Sequence, residues 1–553
     1  MKKNIFILLA AVTALCLGSC SDVLDLEPLD SYNPETVFSD ADMAELFVNQ
    51  RYPELKHGFS IGLRWISDEG YHNHNGTIQQ INMGAMTPDL TGGFDTWEYY
   101  SSIRHCNIFL ENSDKLPVDD VLKQERVDRM TGEVIFLRAL FYFDLANRYN
   151  GVPLITKTLT ENDELLLPRN SYDECMTFVV EELDKAAALL PVSYDSENFG
   201  RATKGAALAY KARALLYMAS PLHNTTGDKS KWQLAADAAK AVIDLKDGDG
   251  NLVYALDEDY AGMFLNYNSQ EIIFERLFNN EYGTYIQMYE LPSGYDESWA
   301  NTNVTQEMVD AYEMKDGTLP SQAGSSYDPL RPYINREPRF YASVLFDGAM
   351  FKGREVECWI NDNPDDILNS GLDSDKNPIG DWNASATRYT MRKFMDESLA
   401  TGPVICPQPW IYMRLGEIYL DYAEALYQTG NEPEARKYLN LIRERARSGL
   451  TNVLPDITVS GDALWKKIVN ERRVELAFED HRYWDVRRWK IADQTENVTI
   501  HRMQIYKNLA SGAKTYSVEP LQERKFYSQH YFLPIPRGEM NKDPNLEQNP
   551  GYN

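Results

Sequence analysis

The chain has 553 residues, which is enough to bury a large core and to form two to four domains or one large repeat-built unit. Its formal net charge of −28 disfavours nucleic acid as a partner, because an acidic surface repels phosphate backbones. The four cysteines beyond Cys20 lie far apart and lack C-x-x-C spacing, so they indicate buried apolar side chains rather than a zinc site or a disulfide framework.

The chain begins with a pattern typical of an export signal. Two lysines precede an apolar run from Ile5 to Leu17 that is too short to span a bilayer. The run leads to the sequence LGSC, which ends at Cys20 and resembles the bacterial lipobox. We predict that residues 1–19 are a signal peptide, that Cys20 carries a lipid as the sole membrane anchor, and that residues 20–40 form an acidic tether. An ordinary secretory signal that contains a cysteine is the alternative.

Helical periodicity predicts a scaffold built from paired helices. The clearest pair lies at 411–447, where apolar residues follow the tetratricopeptide spacing, Asn431 is placed to cap the second helix and Pro433 lies in its first turn. One such pair cannot bury its own apolar face, so further pairs are expected. They are 126–149 with 172–190, 204–219 with 231–245, and one or two helices within 463–490.

Between residues 248 and 409 the alanine-rich periodicity disappears, and the chain becomes rich in Gly, Pro, Asn, Asp, Tyr and Trp. Short β-like runs occur at 271–277 and 340–346. We therefore predict that 248–409 is a largely irregular inserted subdomain. It separates an N-terminal helical scaffold, residues 41–247, from C-terminal helical pairs and a tail, residues 410–553.

A smaller irregular segment, residues 60–96, precedes a helix predicted at 97–112. Long irregular segments held on a rigid scaffold are where binding sites usually lie. Residues 60–96 and the inserted subdomain are therefore the regions in which we expect a ligand to bind.

Seven blocks of sequence occur in an order that resembles one known family, the SusD/RagB-like outer-membrane lipoproteins of Bacteroidetes. The resemblance covers nearly the whole chain beyond the signal peptide. The blocks are WEYYSSIRHCNIFLE (97–111), GEVIFLRALFYFDLANRYNGVPL (132–154), TQEMVDAYEMKDG (305–317), INREPRFYASVLFDG (334–348), PWIYMRLGEIYLDYAEAL (409–426), NERRVELAFEDHRYWDVRRW (470–489) and YFLPIPRGEMNKDPNLEQNPGY (531–552).

The resemblance implies a mainly α fold, with about four tetratricopeptide-like helical pairs that carry a large irregular insertion containing short strands. It also implies a protein on the outer surface of the outer membrane that captures oligosaccharides or polysaccharides. Such a protein delivers its ligand to a TonB-dependent, SusC-like transporter barrel and is not an enzyme. Uptake of peptides or glycopeptides is the alternative within the family, and a surface glycoside hydrolase is the alternative from another class.

No catalytic, metal-ligating or cofactor-binding residue is predicted. The sequence contains no Gly-rich phosphate loop, H-E-x-x-H helix or nucleophile elbow. His72 and His74 alternate without a nearby third ligand, which indicates a hydrogen-bonding loop rather than a metal site. Charged residues in ERRVELAFEDHRYWDVRRW recur every three or four residues, so we expect ion pairs on a helix surface there and not an active centre.

Aromatic side chains in the irregular regions are the candidate sugar-binding groups, because flat rings pack on the C–H faces of pyranose rings while polar groups at the rim bond the hydroxyls. Trp299, Trp359 and Trp382 are flanked by polar residues, as expected of rings at a surface. A large aromatic in a loop nevertheless anchors that loop more often than it binds a ligand. The predicted ligand-binding residues are Tyr71, His72, Asn73, Tyr295, Asp296, Trp299, Trp359 and Trp382, with Asn73 and Asp296 hydrogen-bonding to sugar hydroxyls.

Overall fold

The computed structural model of the protein describes residues 34–118, 123–379 and 382–552. The predicted signal peptide, Cys20 and the tether up to residue 33 lie outside this range. Within the described residues, one hydrophobic core fills the helical scaffold and a second fills the inserted region. The four cysteines beyond Cys20 are buried free thiols, as predicted. No helix in this part of the chain is both long enough and apolar enough to cross a membrane.

Helices are the main regular element in the described first half of the chain. They are α1 Pro34–Val37, α2 Ala41–Asn49, α3 Gly76–Asn82, α4 Tyr99–Leu110, α5 Gln124–Tyr149, α6 Tyr172–Leu189, α7 Lys204–Ala219 and α8 Lys229–Ile243. Helices α5 to α8 pack against one another in chain order. This arrangement confirms the first two predicted helical pairs.

Local signals explain the first pair. Gly132 lets α5 and α6 approach closely, since a Cβ atom there would lie 3.0 Å from Cβ of Leu189. Asn150 ends α5 in the left-handed conformation with a φ of 60°, which Asn tolerates better than most residues. A capping box starts α6: Ser171 Oγ accepts from the Glu174 N–H at 3.2 Å, and the Glu174 carboxylate accepts from the Ser171 N–H at 2.8 Å. Residues at the ends of α5 and α6, and at the contact between the two helices, therefore define this pair.

The inserted region consists mainly of loops with short helices and strands. Its helices are α9 Ile286–Glu290, α10 Gln306–Val309 and α11 Pro338–Ser343. The strands of the protein up to the end of this region are β1 Gly70–His72, β2 Ile272–Arg276, β3 Thr302–Val304, β4 Val344–Leu345, β5 Met350–Phe351, β6 Arg354–Glu355, β7 Ile360–Asn361, β8 Thr390–Met391 and β9 Trp410–Arg414.

One of the two β-like runs predicted in this region is confirmed and the other is corrected. The run at 271–277 forms β2, which pairs antiparallel with β9. The run at 340–346 is mostly the end of α11, because Pro338 stands in the first turn of that helix and only the last residues form β4. Strands β1, β3, β8 and β4 form one sheet, so the N-terminal loop region and the insertion share hydrogen bonds.

The last part of the chain returns to paired helices. They are α12 Leu415–Thr429, α13 Glu432–Ala446, α14 Asp462–Glu475 and α15 His481–Arg488, followed by α16 Ala492–Thr495, the β10 Thr499–Lys507 and β11 Lys514–Glu523 hairpin, and α17 Arg537–Lys542. The mainly α scaffold with four helical pairs is confirmed. The helix predicted from residue 411 begins at Leu415, because β9 occupies the preceding residues. Asn431 stands at the N-cap of α13, but its side chain makes no capping bond.

The charged C-terminal motif lies inside the protein, which corrects the expectation of surface ion pairs. Arg414 is buried at the end of β9, and its guanidinium nitrogens lie 2.7 Å from carboxylate oxygens of Glu271 and Glu479. It also lies 2.8 Å from Glu475, which Arg339 of α11 approaches to 2.9 Å. Helical spacing alone does not reveal which face of a helix is covered. These buried pairs fasten the C-terminal helices to the insertion.

Candidate functional site

The sheet that contains β1 and β3 joins the two irregular regions. Gly70 pairs with Val304, and His72 pairs with Thr302. Just beyond β1, the backbone N–H of Asn73 donates to the carbonyl oxygen of residue 301 at 3.2 Å. The loop that follows β1 therefore lies against the loop that precedes β3.

Four aromatic side chains gather where these loops meet, and we call them the ring cluster: His74, Tyr289, Trp299 and Trp382. The ring centroid of Trp299 lies 5.6 Å from that of Tyr289 and 6.1 Å from those of His74 and Trp382. His74 and Trp382 are 5.5 Å apart, and all four contacts are edge-to-face. Trp299 is 37% exposed and Trp382 is 62% exposed. The ring cluster thus presents two indole rings to solvent.

Hydrogen bonds to the backbone hold the ring cluster together. His74 Nε2 lies 2.7 Å from the carbonyl oxygen of Trp299, and since a carbonyl only accepts, Nε2 carries the proton and donates. Asn73 Nδ2 donates to the carbonyl oxygen of Ala384 at 3.0 Å. The segments that carry His74, Trp299 and Trp382 are therefore linked to one another, so a ligand that bound there would not have to order them.

The loop that carries Trp299 has a strained backbone. Asp296, Glu297 and Ala300 have positive φ values of 51°, 55° and 44°. Conformations of this kind cost about 1–3 kcal/mol each and persist only where the surroundings hold them. Here the buried Asn383 donates from Nδ2 to the carbonyl oxygen of Glu297 at 2.8 Å. Such loops are concentrated at binding sites, so the strain supports a functional role for the Trp299 loop.

Two predicted site residues are buried beneath this surface. His72 is 8% exposed, its ring centroid lies 4.4 Å from that of Trp65, and burial lowers the pKa of its imidazole to about 4. Tyr295 is 5% exposed, and its hydroxyl donates to the carbonyl oxygen of Phe351 at 2.9 Å. Both rings pack inside the protein, so neither has a free face for a ligand.

The surface position expected for Trp359 is wrong. Its side chain is 6% exposed and lies in the second hydrophobic core. Lys507 of β10 covers it, with Nζ 4.3 Å from the ring centroid. Trp359 is therefore an anchor of its loop and, unlike Trp299 and Trp382, it is not exposed to solvent.

The remaining predicted residues lie at the surface near the ring cluster or on the strand that leads to it. Tyr71 is partly buried in β1 opposite Asn303, and burial raises the pKa of its phenol. Asn73 is partly exposed, and Asp296 is exposed and accepts a hydrogen bond from Thr401 Oγ1. Contact of these residues, of Trp299 and of Trp382 with a ligand stays a prediction.

Two members of the ring cluster, His74 and Tyr289, were missed from the predicted site. His74 follows the end of β1, so strand periodicity does not tell which way it faces. Tyr289 stands in a row of four tyrosines whose irregular spacing does not separate exposed rings from buried ones. Among the described residues, no group of three His, Cys, Asp or Glu side chains is arranged to hold a metal ion.

Two family models match the chain. The SusD family matches residues 270–552, and a family described as starch-binding associating with outer membrane matches residues 59–216. The first match spans just over half of the chain and includes most of the insertion and the whole C-terminal scaffold. The second spans the β1 loop region and the first helical pair.

Individual relatives are similar to this chain over most of its length. SusD-like protein P38 of Formosa agariphila is 24% identical over 529 residues, which cover 88% of this chain and 91% of that protein. A solved SusD-like protein of Bacteroides fragilis is 31% identical and has a TM-score of 0.78, over 95% of this chain and 100% of that one. Another solved structure from that organism, described as a SusD-like carbohydrate-binding protein, is 26% identical with a TM-score of 0.77, over 93% and 100% of the two chains. The chain belongs to the SusD family.

Proposed function

We propose that the protein binds glycans at the cell surface and passes them, without cleavage, to a TonB-dependent transporter. The observation that carries this proposal is the ring cluster, in which Trp299 and Trp382 are exposed on loops fixed by hydrogen bonds. Covering an exposed indole ring lowers the free energy of the system. The flat C–H faces of pyranose rings match such rings in shape. Similarity to a Bacteroides fragilis protein described as carbohydrate-binding supports the same ligand class.

Binding without cleavage is supported by the chemistry next to the rings. Most glycosidases place two carboxyl groups on opposite sides of the scissile bond, about 5–9.5 Å apart. The exposed carboxyl groups beside the ring cluster, those of Asp296 and Glu297, are consecutive on one loop. Neighbours on one loop do not enclose a sugar ring from both sides, so this surface is suited to holding a glycan rather than hydrolysing it.

The proposed location is the outer face of the outer membrane, with a lipid on Cys20 as the anchor. The family description that mentions the outer membrane and the lipobox-like sequence both support it. We assign the glycan site to the β1 loop region and the insertion at 248–409, and the transporter contact to the helical scaffold. Stacked helical pairs offer a broad surface for protein contact, which leaves the ring cluster free for ligand.

Calorimetric titration of the purified protein against plant, host and fungal glycans tests this function. We expect saturable binding to at least one glycan and no new products when the mixture is analysed by chromatography. A second series with peptides and glycopeptides belongs to the same experiment. Binding to peptides and to no glycan would contradict the proposed ligand class, and release of shorter saccharides would contradict the absence of cleavage.

A further inference from the structure

We propose that the ring cluster selects uncharged glycans over glycans that carry uronate or sulfate groups, an inference that rests on the proposed glycan-binding function. The segments that carry the four rings, residues 71–77, 289–301 and 382–386, contain no lysine or arginine. Their exposed charged side chains are Asp296 and Glu297, which are both acidic. An anionic sugar stacked on the rings would therefore face carboxylates and no cation on these segments.

The hydrogen-bonding groups around the rings favour ligands that donate hydrogen bonds. The amide nitrogen of Asn73 is engaged with the carbonyl oxygen of Ala384, and Nε2 of His74 is engaged with that of Trp299. Oδ1 of Asn73 and, in the neutral imidazole, Nδ1 of His74 remain as acceptors. Sugar hydroxyls donate and accept, whereas carboxylate and sulfate oxygens only accept. The indole N–H of Trp299 is a neutral donor, so it offers an anion no Coulomb attraction.

The cations that flank these segments in the insertion already have acidic partners. The guanidinium group of Arg354 bonds both carboxylate oxygens of Asp373, at 2.8 and 2.9 Å. Arg388 is buried and lies 2.8 Å from Asp375, and Lys376 lies 3.6 Å from the same side chain. To meet an anionic ligand, Arg354 would have to break its pair with Asp373, and Arg388 or Lys376 would have to weaken the pairing that they share with Asp375.

The size of the effect follows from Coulomb repulsion in water. Two like charges about 8 Å apart repel enough to lower affinity by roughly two- to threefold in dilute buffer, and the Debye length at physiological salt is about 8 Å. A glycan with a charge on every sugar meets several such contacts. We therefore expect discrimination of about fivefold or more at low salt, which salt weakens.

Matched glycan pairs with the same sugar backbone and a different charge test the inference. Oligogalacturonate is compared with its fully methyl-esterified form, and a neutral β-glucan with its sulfated derivative, by calorimetry in low-salt and high-salt buffer. The uncharged member of a bound pair is expected to bind about fivefold more tightly or better at low salt, with a smaller ratio at high salt. Equal or tighter binding of the charged member would overturn the inference and leave glycan binding intact. Failure of every glycan to bind would contradict the proposed function itself.

Two double variants test whether Asp296 and Glu297 cause the discrimination between charged and uncharged glycans. Asp296→Asn combined with Glu297→Gln removes both charges with little change in side-chain size, and Asn keeps a tolerance for positive φ. Glu161→Gln combined with Glu164→Gln is the control, because both residues are exposed on a scaffold loop and the net charge changes equally. The discrimination is measured as the ratio of the two affinities, so a change that both glycans share cancels. The first pair should reduce this ratio by half or more, and the control should leave it intact. Identical discrimination in both variants would overturn the role assigned to Asp296 and Glu297.

Discussion

Exposure decides which aromatic residues of this protein are able to meet a ligand. Trp382 stands at the surface in the ring cluster, whereas Trp359 is closed off by the second core and by Lys507 of β10. The two residues belong to the same chemical type, yet Trp382 is 62% exposed and Trp359 is 6% exposed. A substitution should therefore affect binding at one position and folding at the other.

Trp359→Ala is expected to lower the free energy of unfolding by about 3–5 kcal/mol, because it removes a buried indole and leaves a cavity. Affinity for a glycan that the parent binds should change by less than about twofold. Urea denaturation and calorimetry measure the two quantities. Trp382→Ala is the matched control, with a stability change within about 0.5 kcal/mol. A loss of affinity without a loss of stability in Trp359→Ala would return this residue to the ligand site.

Glu275 predicts a pH effect on stability. Its side chain is buried, its Oε2 has no hydrogen-bond partner among the described residues, and burial raises the pKa of its carboxyl group to about 8. An unfolded Glu has a pKa near 4.3, so between about pH 5 and 8 only the unfolded chain releases this proton. The group then lowers the free energy of unfolding by about 1.4 kcal/mol for each unit of rising pH, up to its folded pKa.

Glu275→Gln removes the ionisable carboxyl group. The free energy of unfolding of the variant minus that of the parent should therefore increase from pH 5 to 8 and level off above pH 8. Denaturant unfolding at several pH values measures the difference. Glu281→Gln makes the same change at an exposed position, and its difference in unfolding free energy from the parent should not vary with pH. A flat difference for Glu275→Gln as well would mean that Glu275 ionises normally in the folded protein.

Single-residue environments were the least predictable part of the site. Polar residues lie within two positions of both Trp359 and Trp382, and they describe only the surroundings of each ring along the chain. The group that covers Trp359 is Lys507, which belongs to a strand far downstream. No local pattern contains that contact, so only the fold separates the two residues.

At the scale of elements, the helices were predictable because their signals are local. The bounds of α7 agree with the predicted 204–219, and the capping box at Ser171 marks the start of α6 within the chain itself. The errors fell on elements whose state depends on distant partners. Residues 411–414 continue a helical pattern, yet they form β9 because they pair with β2, which lies more than 130 residues earlier in the chain. The ion pairs of the charged C-terminal motif were expected at the surface for the same reason, because the elements that cover them are distant in the sequence.

The buried ion pairs around Arg414 predict a large effect on the fold. Arg414→Ala leaves Glu271, Glu475 and Glu479 without this partner inside the protein, and removal of one member of a buried pair costs about 3–5 kcal/mol. Arg331→Ala is the control, because its pair with Asp328 is exposed and is worth about 0–1 kcal/mol. Denaturant unfolding compares the two variants. Equal, small effects would show that the buried network contributes little to stability.

For the whole molecule, the ring cluster depends on segments that lie far apart in the sequence. Residue 74 comes from the loop after β1, whereas residues 289, 299 and 382 come from the insertion. The register of β1 against β3 brings residue 74 beside the Trp299 loop, and hydrogen bonds from Asn73 and Asn383 link the Trp382 segment to both. The sequence allowed us to predict both regions as binding regions, because irregular segments stand out against a helical scaffold. It did not reveal their alignment, since strand pairing across such a distance leaves no local pattern.

The proposed assignment of the glycan site to the insertion and of the transporter contact to the scaffold predicts how that contact responds to substitution. Leu46→Glu and Leu234→Glu place charges on exposed apolar positions of α2 and α8 and are expected to reduce co-purification with the transporter from outer membranes. Trp299→Ala combined with Trp382→Ala should leave co-purification unchanged. Loss of the transporter only in the tryptophan variant would move the contact to the insertion.

The most direct test of the central claim is calorimetric titration of Trp299→Ala combined with Trp382→Ala against a glycan that the parent binds. Each exposed ring that stacks on a sugar contributes on the order of 1 kcal/mol, so the double variant should bind about tenfold or more weakly while its unfolding midpoint stays near that of the parent. Tyr506→Ala, which removes an exposed ring from β10 outside the ring cluster, is the control and should bind as the parent does. Unchanged affinity in the double variant would contradict the claim that the ring cluster holds the glycan.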